Sequence, residues 1–267
     1  MKTQGLRLLA VMGALLVAGA AFGQGLYTES TTTGGPIGDR VETGKAYFMP
    51  KMIRMEHGEE GNFMIFRMDQ QTIYDVDAAE KTYSATTFDE WEARAKGLNA
   101  KMDARRAEMQ KRLESMPEEQ RKMIEKMMGD RMAGGAGKEA KMDVTKTGEK
   151  KSVSGYSCSK YSITNNGKET IAVWATPDIK GFESMKKDYA EFARRFSSIS
   201  MPGAKSLAEA ILQIQGFPME MDHADGIKMV VTKAEPRTIP ASMFEVPAGY
   251  TKVKSKMLEA DEQDKSE

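Results

Sequence analysis

Residues 152–178, "SVSGYSCSKYSITNNGKETIAVWATPD", decide the fold class. Two extended runs rich in Ser, Tyr, Thr, Ile and Val flank Asn165-Asn166-Gly167-Lys168. An Asn-Gly pair suits a two-residue hairpin loop, because both central positions of that turn need positive φ. The flanking residue types fit a pleated, half-buried surface. The stretch therefore predicts a β-hairpin, and much of the chain repeats its texture.

Upstream, "GLYTESTTTGG", "VETGKAYFMPKMIRMEH", "NFMIFRMDQQTIYDVD" and "KTYSATT" fill residues 25–87. They are punctuated by Gly34-Gly35-Pro36, His57-Gly58 and Asp77-Ala78-Ala79-Glu80. Short runs at this spacing predict antiparallel strands joined by tight turns. Downstream, "GFPMEMDHADGIKMVVTKAEP" predicts another hairpin at Asp225-Gly226.

Two regions break the pattern. Thr87 and Glu90 make a capping box, and Phe88, Trp91, Ala95, Leu98, Met102, Met109, Leu113 and Met116 follow at three- and four-residue steps. Ser115 and Glu118 form a second capping box, followed by Met123, Ile124, Met127, Met128 and Met132 and closed by Gly134-Gly135-Ala136-Gly137. Residues 88–133 are thus expected to form a helical hairpin inserted between strand regions. Residues 181–215 also read as helical, with a break near Met201-Pro202-Gly203.

The N-terminus, "MKTQGLRLLAVMGALLVAGAAFGQG", has a cationic start, an apolar run from Leu8 to Phe22 and small residues after it. That is the layout of a cleavable secretory signal over residues 1–23, with cleavage after Ala20 or Gly23. The run is shorter than the roughly 20 residues a membrane-spanning helix needs. With no cysteine near the cut, a lipid anchor is not expected. The expected organisation is a signal peptide, a single domain over 24–254 containing the insertion, and a disordered polar tail at 255–267. The expected location is periplasmic or secreted, with no membrane span after cleavage.

The 267-residue chain carries 39 Lys+Arg and 39 Asp+Glu. Losing Lys2 and Arg7 with the leader leaves 37 basic against 39 acidic residues, so no basic excess points to nucleic acid. The only cysteine, Cys158, is mid-strand. Lys160 on the same face could activate its thiol, but catalysis would need a nearby base, and His57 and His223 both lie in turn-like contexts. Structural cysteine, redox thiol and nucleophile all remain readings, with the structural one favoured. Two histidines and one cysteine without paired spacing give no metal signature, and no cofactor motif is present.

Methionine stands out, with 22 residues, eight of them within 102–142 and five within 49–68. Such side chains fill cores, serve adaptable apolar surfaces, or ligate copper(I). Helical spacing accounts for most positions without a ligand.

The runs "KMIRME", "TIYDVDAAEKTY", "SGYSCSKY", "VWATPD", "GFPMEM" and "MFEVPAGY" together resemble a bacterial family of secreted proteins, a domain of unknown function (number 4412), over most of residues 40–254. That family is similar to the LolA/LolB lipoprotein carriers and the mycobacterial lipid-carrier lipoproteins. "GKAYFMPKMIRME" parallels the carriers' strand–Pro–strand segment, and "IPASMFEVPAGYTKV" parallels their closing strand, with Phe244 and Pro247 in equivalent places. The resemblance implies an α+β fold: a curved antiparallel sheet, or half-barrel, with a helical lid over an apolar cavity. LolA has an arginine before the proline that works its gate, whereas Met49 precedes Pro50 here. The helix "SMPEEQRKMIEKMM" also resembles those of Spy-like periplasmic chaperones.

"FMIFRM" is apolar on both faces, with Phe63 and Ile65 one way and Met64, Phe66 and Met68 the other. A sheet with one wet face would alternate more cleanly. The expected function is therefore non-enzymatic binding of a lipid, acyl chain or other apolar ligand in the cell envelope. Cavity candidates are Met49, Ile53, Met55, Phe66, Met68, Tyr74, Trp174 and Met229. The alternative is a chaperone-like module that binds an envelope protein through Met123, Met127 and Met128 of the helical hairpin.

Overall fold

A computed structural model of the chain describes residues 22–57, 61–115, 117, 142–183, 185–189 and 204–255. The strands are β1 (Phe22–Thr33), β2 (Glu42–Met49), β3 (Met52–His57), β4 (Phe63–Arg67), β5 (Thr72–Asp77) and β6 (Thr82–Thr87), then β7 (Met142–Val153), β8 (Tyr156–Asn165), β9 (Lys168–Thr176), β10 (Phe217–His223), β11 (Lys228–Pro240) and β12 (Thr251–Lys252). Helix α1 (Phe88–Glu114) follows β6, residues 182–183 and 185–189 are helical, and α2 (Ala204–Gln213) precedes β10. The break expected near Met201-Pro202-Gly203 and the second arm of the helical hairpin lie outside the described residues.

Turn chemistry explains the strand spacing. Asn166 and Gly167 both adopt positive φ, 52° and 77°, as the predicted two-residue loop requires. Gly226 does the same at the β10–β11 turn, with φ 90°. Lys51, Gln71 and Lys81 close other hairpins at positive φ without glycine's freedom, which is why the sequence marked these turns less clearly.

All twelve strands join one open sheet in the order β12-β6-β5-β4-β3-β2-β1-β11-β10-β9-β8-β7. Every pairing is antiparallel except β12 with β6. Two meanders, β2–β6 and β7–β11, therefore meet on either side of β1, which pairs with β2 and β11. The seam is tight: a Cβ on Gly25 would stand 2.4 Å from the Phe48 carbonyl oxygen and 2.7 Å from Ile239 Cδ1.

Both faces of the sheet are covered in places. On one face Ile53, Phe66, Ile73 and Phe88 form a buried cluster joined by Phe48, Met64, Met68 and Tyr189. Farther along, Ala210 and Ile214, in and just after α2, pack on Tyr161, Ile163, Ile171 and Val173. On the other face Met49, Phe63, Ile65, Val76 and Ile239 pack on Phe244, with Val246 and Tyr250 beside them. This explains the two-faced "FMIFRM" run, since helices cover one side and the closing segment covers the other.

That closing segment was expected as a strand. It is a 3-10 turn (Ala241–Phe244) and irregular chain, with only Thr251–Lys252 extended. Its anchor is Phe244, which has no exposed surface. Two arginines also pin it: Arg54 Nη1 donates to the Met243 carbonyl and Arg67 Nη1 to the Phe244 carbonyl, each at 3.2 Å.

The β7–β11 half curls. Strands β7 and β10 are separated by β8 and β9, or about 14 Å in a flat sheet, yet Lys151 of β7 donates to Glu220 of β10 at 2.8 Å. The tip of the β7–β8 hairpin also reaches β11, where Ser154 Oγ and the Tyr156 hydroxyl donate to the carbonyls of Val231 and Ala234, both at 2.7 Å.

Candidate functional site

The helix-covered face carries the larger apolar surface. Pairing register sets Phe48, Ile53, Phe66 and Ile73 directly opposite one another across β2–β5, and directly opposite residues share a face. The adjacent row on the same face is Ala46, Met55 and Met64. In the first row, which Phe88 and Tyr189 cap, Ile53, Phe66 and Ile73 are buried and Phe48 is half-buried, whereas Met55 in the second is 46% exposed. The result is an apolar stripe that runs from solvent at Met55 to a covered end at Phe48.

Phe88 is fixed by the helix start that the sequence announced. Thr87 Oγ1 accepts from the Glu90 amide at 3.2 Å, while the Glu90 carboxylate accepts from the Thr87 amide at 2.7 Å. This capping box satisfies donors that a helix leaves unpaired at its N-terminus. It also holds the Glu90 carboxyl below its ordinary pKa.

Tyr189 brings a polar group to the covered end. Its ring meets Phe48 edge-on at 5.7 Å and stacks on Phe182 at 6.4 Å. Its hydroxyl is buried and has no hydrogen-bond partner. Burial, with a smaller contribution from the Asp188 charge, pushes its pKa well above the phenol range, so the group is a neutral donor. A buried hydroxyl without a partner costs about 1–3 kcal/mol.

Of the residues singled out in the sequence, Ile53, Met55, Phe66 and Met68 come together on this face. Met49 and Tyr74 lie on the opposite face, under the closing segment. Met229 pairs with Met221, which packs against the cluster under α2. Trp174 belongs to a separate polar hollow. Met123, Met127 and Met128 lie outside the described residues. Helix α1 nevertheless extends well past its anchored first turn, and its Met109 is half exposed.

The polar hollow was not foreseen. Register aligns Lys160, Trp174, Glu220 and Val230 across β8–β11. The volume of the hollow is about 400 Å³. Glu220, whose side chain is 7% exposed, accepts from Lys151 at 2.8 Å and from Lys228 at 2.9 Å. Burial alone would raise the Glu220 pKa, but the two ammonium groups outweigh it and hold the carboxyl below its ordinary value. Lys151 also sits 4.2 Å above the Trp174 ring.

Cys158, paired across from Lys151, is 1% exposed, and its thiol donates to the Tyr156 carbonyl at 3.6 Å. Burial, more than any neighbouring charge, pushes its thiol pKa up. A protonated, enclosed thiol is the chemistry of a packing residue rather than a nucleophile. Among the described residues no group of three or more His, Cys, Asp or Glu could hold a metal, and no helix is long and apolar enough to cross a membrane.

Comparison with known proteins gives one sequence match and several distant structural ones. The family model described as a domain of unknown function (DUF4412) matches residues 106–250. Among curated proteins none matches the sequence. An uncharacterized conserved protein from Thermus thermophilus superposes with a TM-score of 0.42 and 7% identity, covering 86% of this chain and 90% of its own. PNGF-II gives a TM-score of 0.39 and 8% identity over 88% of this chain and 32% of its own. The complex structure of Pseudomonas aeruginosa MucA/MucB gives 0.34 and 9% over 85% of this chain and 56% of that one. This chain therefore spans about a third of PNGF-II and just over half of that MucA/MucB chain, and none of these superpositions bears on what it binds.

Proposed function

This chain belongs to the family of the domain of unknown function (DUF4412), which brings no activity with it, and we propose from its geometry a non-enzymatic binding module for a lipid or other acyl-chain ligand. In this reading the sheet is a half-barrel, the helices at 182–189 and α2 are its lid, and the signal peptide at 1–23 delivers it to the cell envelope. The ligand chain lies along Met55, Ile53, Phe66 and Met68, between the sheet and Phe88.

The observation that carries the reading is the Tyr189 hydroxyl, enclosed at the end of an apolar stripe without a partner. A ligand hydroxyl or carbonyl oxygen arriving there would accept its hydrogen bond and offset the cost of burying it. Apolar contact supplies the rest: a 12-carbon chain at about 0.8 kcal/mol per methylene contributes roughly 9 kcal/mol before ordering costs.

The test is a calorimetric titration with dodecanol and with dodecane, on the natural chain and on Y189F. Removing an unpartnered hydroxyl stabilises the free protein, by about 1–2 kcal/mol, while weakening dodecanol about tenfold and leaving dodecane unchanged. An absence of saturable uptake refutes the binding site, and a Y189F variant that binds dodecanol as well as the natural chain refutes the anchor.

The exposed run of α1, with Met109 half exposed, favours a second reading in which the Met-rich hairpin docks an envelope protein. Replacing Met123, Met127 and Met128 by Gln would then abolish suppression of client aggregation and leave dodecanol binding intact. Unaltered suppression would end that reading.

A further inference from the structure

We infer that the polar hollow is a second binding site, for a small organic anion carrying a carboxylate or phosphate group held between Lys160, Lys228 and the Trp174 ring. Its lining shares no residue with the acyl stripe.

Three ammonium groups and one buried carboxylate line the hollow. Two ammonium groups, from Lys151 and Lys228, contact the single buried carboxylate of Glu220. That carboxylate is 7% exposed, while Lys151 and Lys228 keep 34% and 41% of their side chains open to solvent. Lys160 adds a third cation beside them, directly opposite Trp174. Its side chain is 20% exposed, and its nearest carboxylates stand at 3.4 Å (Glu149) and 3.8 Å (Glu169). Those separations leave its donors mostly unspent, since a strong charge-assisted bond forms at about 2.7–2.9 Å.

The acids that would neutralise the hollow are at its rim. Glu169 and Asp222 are each about half exposed, and Asp222 stands 3.7 Å from Lys228. Glu169 is also engaged by the Ser162 hydroxyl. The three ammonium groups converge on a space of about 400 Å³, within the usual range of small-molecule pockets. The indole supplies an apolar wall, which suits an anion with a flat or aliphatic body rather than a bare ion.

Trp174 is also the reporter. The chain has only one other tryptophan, Trp91 on α1, so a full-length W91F variant isolates the hollow's emission. Phenyl phosphate, benzoate, inorganic phosphate and acetate are titrated at constant ionic strength, with chloride as reference. We expect saturable change with the carboxylate pair or the phosphate pair, tighter for the member with a ring. K160Q should weaken binding about tenfold, the scale of one charge-assisted hydrogen bond. E169Q should tighten it, because it removes the carboxylate competing for Lys160, a gain that misfolding would not mimic. Response to none of the four beyond chloride, or equal affinity in K160Q and the parent, overturns the proposal.

Discussion

Glu220→Gln is the most discriminating perturbation of the curled half of the sheet. The Glu220 carboxylate joins β10 to β7 and β11 at once, through Lys151 and Lys228. The amide keeps one acceptor oxygen and loses the charge. One of two hydrogen bonds to a charged donor then fails, at about 1.5–3 kcal/mol, and two ammonium groups face each other uncompensated. Breaking a fully buried pair by removing one partner costs about 3–5 kcal/mol, and the loss here falls toward the lower end because Lys151 and Lys228 are 34% and 41% exposed. We expect E220Q to be destabilised by about 2–4 kcal/mol at pH 7, a fall in Tm of roughly 5–12 °C for a domain of this size.

The pH dependence identifies the cause. The folded pKa of Glu220 lies below the unfolded value of about 4.3. Its contribution is thus fully present above that value and lost as pH falls through the folded pKa. Thermal melts of both chains, followed by circular dichroism from pH 7 down to pH 2.5, should show a gap that holds to about pH 5 and closes below. A gap that is the same at pH 7 and pH 2.5 would mean that the lost charge is not responsible. An E220Q chain more stable than its parent at pH 7 would mean that desolvation outweighs the pairing.

Two further outcomes follow from the packing. Gly25→Ala places a methyl 2.4 Å from the Phe48 carbonyl oxygen in the central seam, a backbone atom that no side-chain rotation moves aside; urea unfolding should show a loss of about 1–3 kcal/mol or more. A result within error of the parent would mean that the β1–β2 spacing relaxes freely. Cys158 should resist a thiol-selective disulfide reagent at pH 8 in the folded chain and react fully in denaturant, because burial both shields its sulfur and raises its pKa. Rapid native labelling would contradict an enclosed thiol.

Local chemistry was legible in the sequence, and long-range register was not. The Asn166-Gly167 turn, the Thr87 capping box and the Asp225-Gly226 turn each act over a few residues, and each appears where the residue types require it. The two-faced apolarity of "FMIFRM" was visible too, but the sequence could not say what covers each face. Burial of Met49 and Tyr74 by the closing segment depends on Arg54 and Arg67 reaching carbonyls 189 and 177 residues away. The polar hollow was hidden by a single irregularity. Counting out from the Asn165–Lys168 pair sets Lys160 opposite Val173, but a register shift between Ile163 and Thr164 moves its partner to Trp174. A one-residue slip exchanges the faces of a strand, so the count from the turn puts the indole on the wrong side.

The place of β1 has a consequence for how the chain acquires its shape. Each meander can zip from its own turns, but the strand between them bonds to a segment near the far end of the polypeptide; Thr232 Oγ1 donates to the Glu29 carbonyl across 203 residues. Contacts of such sequence separation form slowly, because the intervening loop must close before they return any energy. The pairing that joins the two halves can form only once residues 228–240 exist, so the molecule becomes one body when its beginning is clasped by its end.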